Sequence, residues 1–291
     1  MSERGPLYPF YSLGENLKGF LLLVYRFSNW YGFVAFRSGL WNSAVLKPRD
    51  GSRKLNSIAL DRNSSTVMVS YDGKIARFCF NSTRQLDNTM RNIYQDFIQE
   101  QYHKLRVRNK TVVDIGANNG DTAIYFAVRG ASRVYAYEPY PSSYKLAERN
   151  VKSNKLANRI KLRNEAVRGS YGSISVDENY ESVSNSILRD CRRGKRIGVV
   201  SLDSIVEKNK IRNAVLKIDC EGDEYGIIAS ARESTLKSFS QIAIEYHFGY
   251  EKIVERLRKL GFLVEHTRPK VSRNSETGGL RMDYGMIYAS R

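Results

Sequence analysis

From Thr111 onward the chain alternates short apolar runs with stretches of helical spacing, and no other feature restricts its fold as strongly. The runs are TVVDI (111–115), RVYAY (133–137), IKLR (160–163), AVLKI (214–218) and QIAIE (241–245). Apolar residues recur at helical spacing between them, at 121–129, 142–154, 202–209, 223–231 and 251–260. Strands this short and this apolar are buried on both sides, so the pattern predicts an α/β fold with a parallel sheet covered by helices on both faces. The final runs, GFLVEH and YGMIYAS, have no helix between them and predict an antiparallel pair at one sheet edge.

Upstream the pattern differs. Asp72-Gly73 between TVMVS and IARFCF suits a tight turn with positive φ and predicts a β-hairpin over 66–80. Leu86, Met90, Ile93, Phe97, Ile98 and Leu105 share one face of a helix over 86–105. Residues 1–55 are aromatic and basic without a clean repeat, so 1–105 reads as an N-terminal extension and 106–291 as the ligand-binding domain. The apolar run at 19–25 is far shorter than the ~20 residues a membrane-spanning helix needs. It suits packing on the domain, with peripheral membrane contact through Trp30, Tyr31, Phe33 and Trp41 as the alternative. Glu3 and Glu15 interrupt the charge pattern of a signal peptide. Cys79, Cys191 and Cys220 are odd in number and widely spaced, which excludes a disulfide framework or a paired zinc motif and points to a cytoplasmic setting.

Lys and Arg number 47 against 30 Asp and Glu, a formal net charge of +17, which favours anionic partners such as nucleic acid, a phosphorylated sugar or an acidic membrane face. The densest basic cluster, RDCRRGKR (189–196), reads as a loop open to solvent or facing a substrate. Against this balance, the ends of the predicted strands are acidic. In doubly wound sheets the ligand lies beyond the carboxyl ends of the strands, where strand order reverses. Those positions hold Asp114 and the loop to Gly120, Glu138-Pro139, Asn164-Glu165-Ala166, Asp219 with Glu221, and Glu245 with His247.

A glycine loop between strand and helix usually cradles a phosphate. DIGANNGD lacks the G-x-G-x-x-G spacing, and Asp114 and Asp121 flank it, which repels a pyrophosphate and suits a ligand with an ammonium and a sulfonium. S-adenosylmethionine has those charges and no phosphate. The expected cofactor contacts are Asp114, Gly116, Asn118, Gly120 and Asp121 from the loop, Glu138 with Pro139 for the ribose hydroxyls, and Glu165 with Ala166 for the adenine.

With VVDIGANNGDT (112–122), YAYEP (135–139), NEAV (164–167), SLDSIV (201–206), LKIDCEGDEYGII (216–228) and IAIEYH (242–247) in this order, the chain resembles the FkbM family of class I S-adenosylmethionine-dependent methyltransferases. The resemblance covers residues 66–290. It implies a Rossmann-like, mostly parallel seven-stranded sheet with an antiparallel last strand, S-adenosylmethionine as cofactor, and O-methylation as the usual activity.

A hydroxyl acceptor must lose its proton as it attacks. Asp219, Glu245 and His247 are the candidate catalytic residues, with Asp219 as the base or the group that orients the acceptor and His247 assisting. Glu221, Asp223 and Glu224 read as acids capping the next helix. No metal is assigned; oxygen ligands from Asp219, Glu221 and Glu245, suited to magnesium, are the alternative. The acceptor classes left open are a small or saccharide-type hydroxyl compound, with the basic charge balance favouring an anionic one, and tRNA or rRNA. A NAD-dependent oxidoreductase is disfavoured by the loop spacing and Asp121.

Overall fold

A computed structural model describes residues 27–28, 30–48, 54–178, 194–274 and 280–291; the apolar run at 19–25, Cys191 and most of the 189–196 cluster lie outside them. The chain divides into two units, Met1–Ile98 and Gln99–Arg291.

In the first unit α1 (Tyr31–Arg37) precedes a four-stranded antiparallel sheet of β1 (Ser43–Leu46), β2 (Leu55–Asp61), β3 (Thr66–Tyr71) and β4 (Lys74–Cys79), in that spatial order. The β3–β4 hairpin turns at Asp72 and Gly73, whose φ values of 50° and 72° are those of a type I′ turn. Ile58, Leu60, Val67, Val69, Ala76 and Phe78 alternate along the strands and are buried, the period of two that gives a sheet one apolar face. The predicted hairpin is thus the second half of a larger sheet. α2 (Thr83–Ile93) starts at Ser82, whose hydroxyl accepts the Gln85 N–H, and ends in a π-helical turn, Tyr94–Ile98. The helix expected to continue to 105 therefore stops at Ile98; Leu105 is buried beyond it.

In the second unit the elements are β5 (Thr111–Ile115), α3 (Asp121–Val128), β6 (Arg133–Tyr137), α4 (Pro141–Ser153), β7 (Ile160–Arg163), β8 (Glu165–Val167), β9 (Gly172–Val176), β10 (Lys195–Val200), α5 (Leu202–Lys208), β11 (Ala214–Ile218), α6 (Glu224–Ser230), α7 (Glu233–Leu236), β12 (Phe239–Tyr246), α8 (Glu251–Lys259), β13 (Leu263–His266), β14 (Lys270–Asn274) and β15 (Leu280–Ser290). The main sheet runs β13-β15-β12-β11-β5-β6-β7, with β15 antiparallel to its neighbours β12 and β13 and paired also with β14. β5, β6, β7, β11 and β12 are parallel. Chain order leaves β5 in both directions, toward β6 and toward β11. Right-handed crossovers then put α3 and α4 on one face and α5, α6 and α8 on the other. The reversal lies between β5 and β11, and the candidate residues collect there.

Every residue of β11 is buried, as are all eight of α3, which explains why these segments lack polar alternation. A second sheet was not legible: β8, β10 and β9 form a three-stranded unit, β8 parallel and β9 antiparallel to β10. Lys195 and Arg196, read as loop, begin β10.

Candidate active site

The loop after β5 is shaped by backbone contacts. Gly116 and Ala117 both donate N–H groups to the Tyr137 carbonyl at 3.0 Å, tying the loop to the end of β6. Gly116 has φ +77°, and a Cβ built on it would lie 1.7 Å from the Asp219 carbonyl oxygen. Glycine is required because the ends of β5 and β11 meet backbone to backbone. Asn118, at φ +45°, donates its N–H to Glu138 Oε2 at 2.9 Å, and Tyr140 N–H donates to Oε1 at 2.9 Å. The Asn164 amide donates to the carbonyls of Glu138 and Pro139 at 2.9 and 2.8 Å, and Asn150 donates to the Asn119 carbonyl at 2.8 Å. Asp121 and Gly120 open α3; Pro139 and Ala166 are buried, while Glu165 is half-buried where β8 begins.

Burial raises the Glu138 carboxyl to about 7, against the two backbone N–H groups and Lys217, which favour its charged form. Its folded value lies above its unfolded value, so its contribution to stability is full below about pH 4.5 and is lost as pH rises through 7. Between pH 4 and 8 the stability of the parent should fall by roughly 3 kcal/mol relative to Glu138→Gln. Urea midpoints of the two proteins across this range measure the difference, and parallel curves would contradict it.

Lys217 stands opposite Asp114 in the β11–β5 register. Its ammonium lies 3.1 Å from Asp114 Oδ1 and donates to the carbonyls of Gly116 at 2.7 Å and Ile115 at 3.2 Å. Thr122 donates to Asp114 Oδ2 at 2.7 Å. Burial alone would lower the Lys217 pKa, but Asp114, Asp219 and Asp121 outweigh it and raise it. Asp114, expected among the cofactor contacts, is instead fully buried beneath the loop, with Lys217 and Thr122 on its two oxygens.

At the ends of β11 and β12 the acids surround His247. Its backbone N–H and its Nδ1 both meet Glu224 Oε1, at 3.1 and 2.9 Å, and Glu224 Oε2 accepts the Gly222 N–H at 2.8 Å. Glu224 is fully buried, so the residue read as a helix cap is the carboxylate that orients His247. Asp223 occupies the N-cap position, yet its carboxylate turns to Arg168, 3.1 Å away. His247 Nε2 faces Glu221 Oε2 at 3.4 Å and Asp219 Oδ1 at 3.9 Å. Glu221 reaches this position from a left-handed backbone, φ +55°. Tyr225 fixes the following segment by donating to the Gly249 carbonyl and accepting the Phe248 N–H, each at 2.7 Å. Glu245 is held by Gln101, whose amide donates to Oε2 at 2.8 Å. Burial and the Asp219 charge raise Glu245, and burial, opposed by His247, raises Glu221. Burial disfavours the His247 cation, but Glu221, Glu224 and Glu245 raise its pKa well above the ordinary value.

Three contributors escaped the sequence reading. Lys217 carried a signal, a lone cation inside an otherwise apolar central strand, which requires a buried counter-charge. Glu224 is one of four acids in a row of six residues, with nothing local to show which turns inward. Gln101 lies 144 residues from Glu245, and only the fold joins them.

The donor set fits S-adenosylmethionine. The cation beside the loop, Lys217, is engaged by Asp114 and two carbonyls, while Asp121, Glu138, Asp219, Glu221 and Glu245 give the strand ends an acidic character suited to a cationic ligand without phosphate. The family described as the methyltransferase FkbM domain matches residues 114–264, just over half of the chain. Among curated proteins no significant match is found. Similar solved structures include the precorrin-6y C5,15-methyltransferase of Geobacter metallireducens, with 16% identity, 66% of this chain and 86% of that one covered, and a TM-score of 0.40. The ribosomal protein L11 methylase of Lactobacillus delbrueckii subsp. bulgaricus has 18% identity over 74% of this chain and 81% of that one, with a TM-score of 0.37. TrmK of M. capricolum, solved with S-adenosylhomocysteine, has 16% identity over 67% of each chain, with a TM-score of 0.38. This chain belongs to the FkbM family of methyltransferases, and S-adenosylmethionine is its cofactor.

Proposed function

We propose that the enzyme O-methylates a hydroxyl group on a small-molecule or saccharide-type acceptor. The observation behind this reading is Asp219, a carboxylate about a quarter exposed at the end of β11, flanked by Glu221 and an imidazole locked in place by Glu224. S-adenosylmethionine, held by the 116–120 loop, Asp121, Glu138, Pro139, Glu165 and Ala166, supplies the electrophilic methyl group. Asp219 orients the acceptor hydroxyl and takes its proton, since a neutral hydroxyl is a poor nucleophile. His247 balances the charge of the neighbouring carboxylates and, through Glu224, keeps the site in one geometry. Glu245, tethered by Gln101, is a second acceptor for that proton.

Asp219→Asn tests the assignment. Calorimetry should give cofactor affinity within about threefold of the parent, while methyl transfer to a hydroxylated acceptor should fall by at least ~100-fold, the scale of a lost general base. An active variant removes Asp219 from the catalytic role. The net charge of +17 favours a second acceptor class, tRNA or rRNA. RNA binding that weakens steeply with salt, together with a methylated RNA product, would establish that reading in place of the first.

A further inference from the structure

The geometry points to a divalent metal site formed by Asp219, Glu221 and His247, taking a first-row transition ion such as Mn²⁺ or Zn²⁺. One ligand atom from each residue lies within 4.8 Å of the others. The imidazole supplies the independent indication. Its side chain is only 5% exposed, and the fully buried Glu224 carboxylate, which can only accept, fixes the proton on Nδ1. Nε2 is thereby aimed at two carboxylates and makes no hydrogen bond among the described residues. Its distances, 3.4 Å to Glu221 and 3.9 Å to Asp219, are long for an N–H···O bond, which favours about 2.7–3.2 Å. They suit atoms that share one ion: ligands each about 2.1 Å from a metal stand roughly 3 to 4 Å apart.

An ion placed between Nε2 and the two carboxylates replaces the Nε2 proton that those carboxylates otherwise favour, and takes the lone pair in its stead. The arrangement is that of a metal-ligating histidine whose other nitrogen is held by a carboxylate. Two carboxylates with one imidazole favour Mn²⁺, Fe²⁺ or Zn²⁺ over Ca²⁺, which takes oxygen alone. Asp219 and Glu221 keep 28% and 23% of their side chains exposed, so an ion held by them retains positions for an outside oxygen. This site differs from the all-oxygen set expected from sequence by taking His247 in place of Glu245. Its role rests on the O-methylation reading: with the ion in place Asp219 acts as its ligand and orients the acceptor through it, the ion lowers the pKa of the bound hydroxyl, and the proton passes to Glu245, the second acceptor of that reading.

The test uses the full chain, stripped with a chelator and titrated with Mn²⁺ by electron paramagnetic resonance and with Zn²⁺ by calorimetry, without cofactor or acceptor. One ion should bind per chain. Glu221→Gln, a near-isosteric change at a side chain 23% exposed, should weaken binding by at least tenfold, and Glu224→Gln by 10- to 100-fold through loss of imidazole orientation. No saturable binding to the parent, or equal binding to the Glu221→Gln variant, would overturn the site. Ion binding by a protein that transfers no methyl group sinks the O-methylation reading and upholds the site.

Discussion

Gly116→Ala should leave the catalytic unit unable to hold its native fold, with a loss on the order of 4 kcal/mol or more. Two effects add. The position sits at φ +77°, where an L-residue costs about 1–2 kcal/mol, and the new Cβ would be placed 1.7 Å from the Asp219 carbonyl oxygen. That oxygen is backbone, with no rotamer to move away, so relief requires parting the ends of β5 and β11. Parting them carries the loop away from Tyr137 and Glu138, to which it is tied. Chemical denaturation measures the loss, and a variant within 1 kcal/mol of the parent would show that the two strand ends separate freely. Gly120→Ala is the comparison: its Cβ would meet the Ala147 Cβ at 3.3 Å, a side-chain contact at the edge of tolerance, so its cost should be smaller.

Lys217→Met should cost about 3–5 kcal/mol, because it strands the Asp114 charge in the sheet with Thr122 as its remaining side-chain donor. It also takes the lysine donor from the Gly116 carbonyl and from that of Ile115, which keeps only the Asp219 N–H, so cofactor affinity should fall with stability. The double variant Lys217→Met with Asp114→Asn removes both charges and should regain at least half of the lost stability, since breaking one partner costs more than replacing the pair. If the double variant is as unstable as the sum of the single ones, the 3.1 Å approach is not an energetic pair. An alternative outcome, stability regained without cofactor affinity, would separate the lysine's ionic role from its hold on the loop carbonyls.

The parts of the fold that sequence revealed are those whose burial leaves no choice of pattern. β5, β6 and β11 fall at the predicted residues because parallel strands covered on both faces are largely apolar, whereas β7, at the sheet edge, shows itself by alternation, with Ile160 buried and Lys161 and Arg163 exposed. The helix over 86–105 was overextended because Leu105 kept the apolar spacing after the backbone had left the helix at Ile98. The small β8-β10-β9 sheet is hidden because β8 is only three residues long, β9 and β10 mix buried with exposed positions, and β10 begins inside the basic stretch. Within the site, the acidic strand ends were visible but their orientation was not. Glu221 and Glu224 are three residues apart, and a left-handed turn at Glu221 and Gly222 sends one toward the open face and the other into the interior. The Glu224–His247 contact spans β11 and β12, and depends on those strands being neighbours.

The small sheet also bears on how this enzyme can change. Val176 and Lys195 stand opposite each other where β9 leaves the sheet and β10 returns. The chain between them departs and re-enters at a single rung of the ladder, so its length and charge can be altered without shifting the strands on either side. β10 also pairs with β8, which begins one residue after Asn164, the clamp on the Glu138 and Pro139 carbonyls. A designed loop swap between 177 and 193 that keeps Gly194, whose Cβ would lie 2.4 Å from the Val176 carbonyl oxygen, should therefore leave β8, β9 and β10 in register and the cofactor side undisturbed.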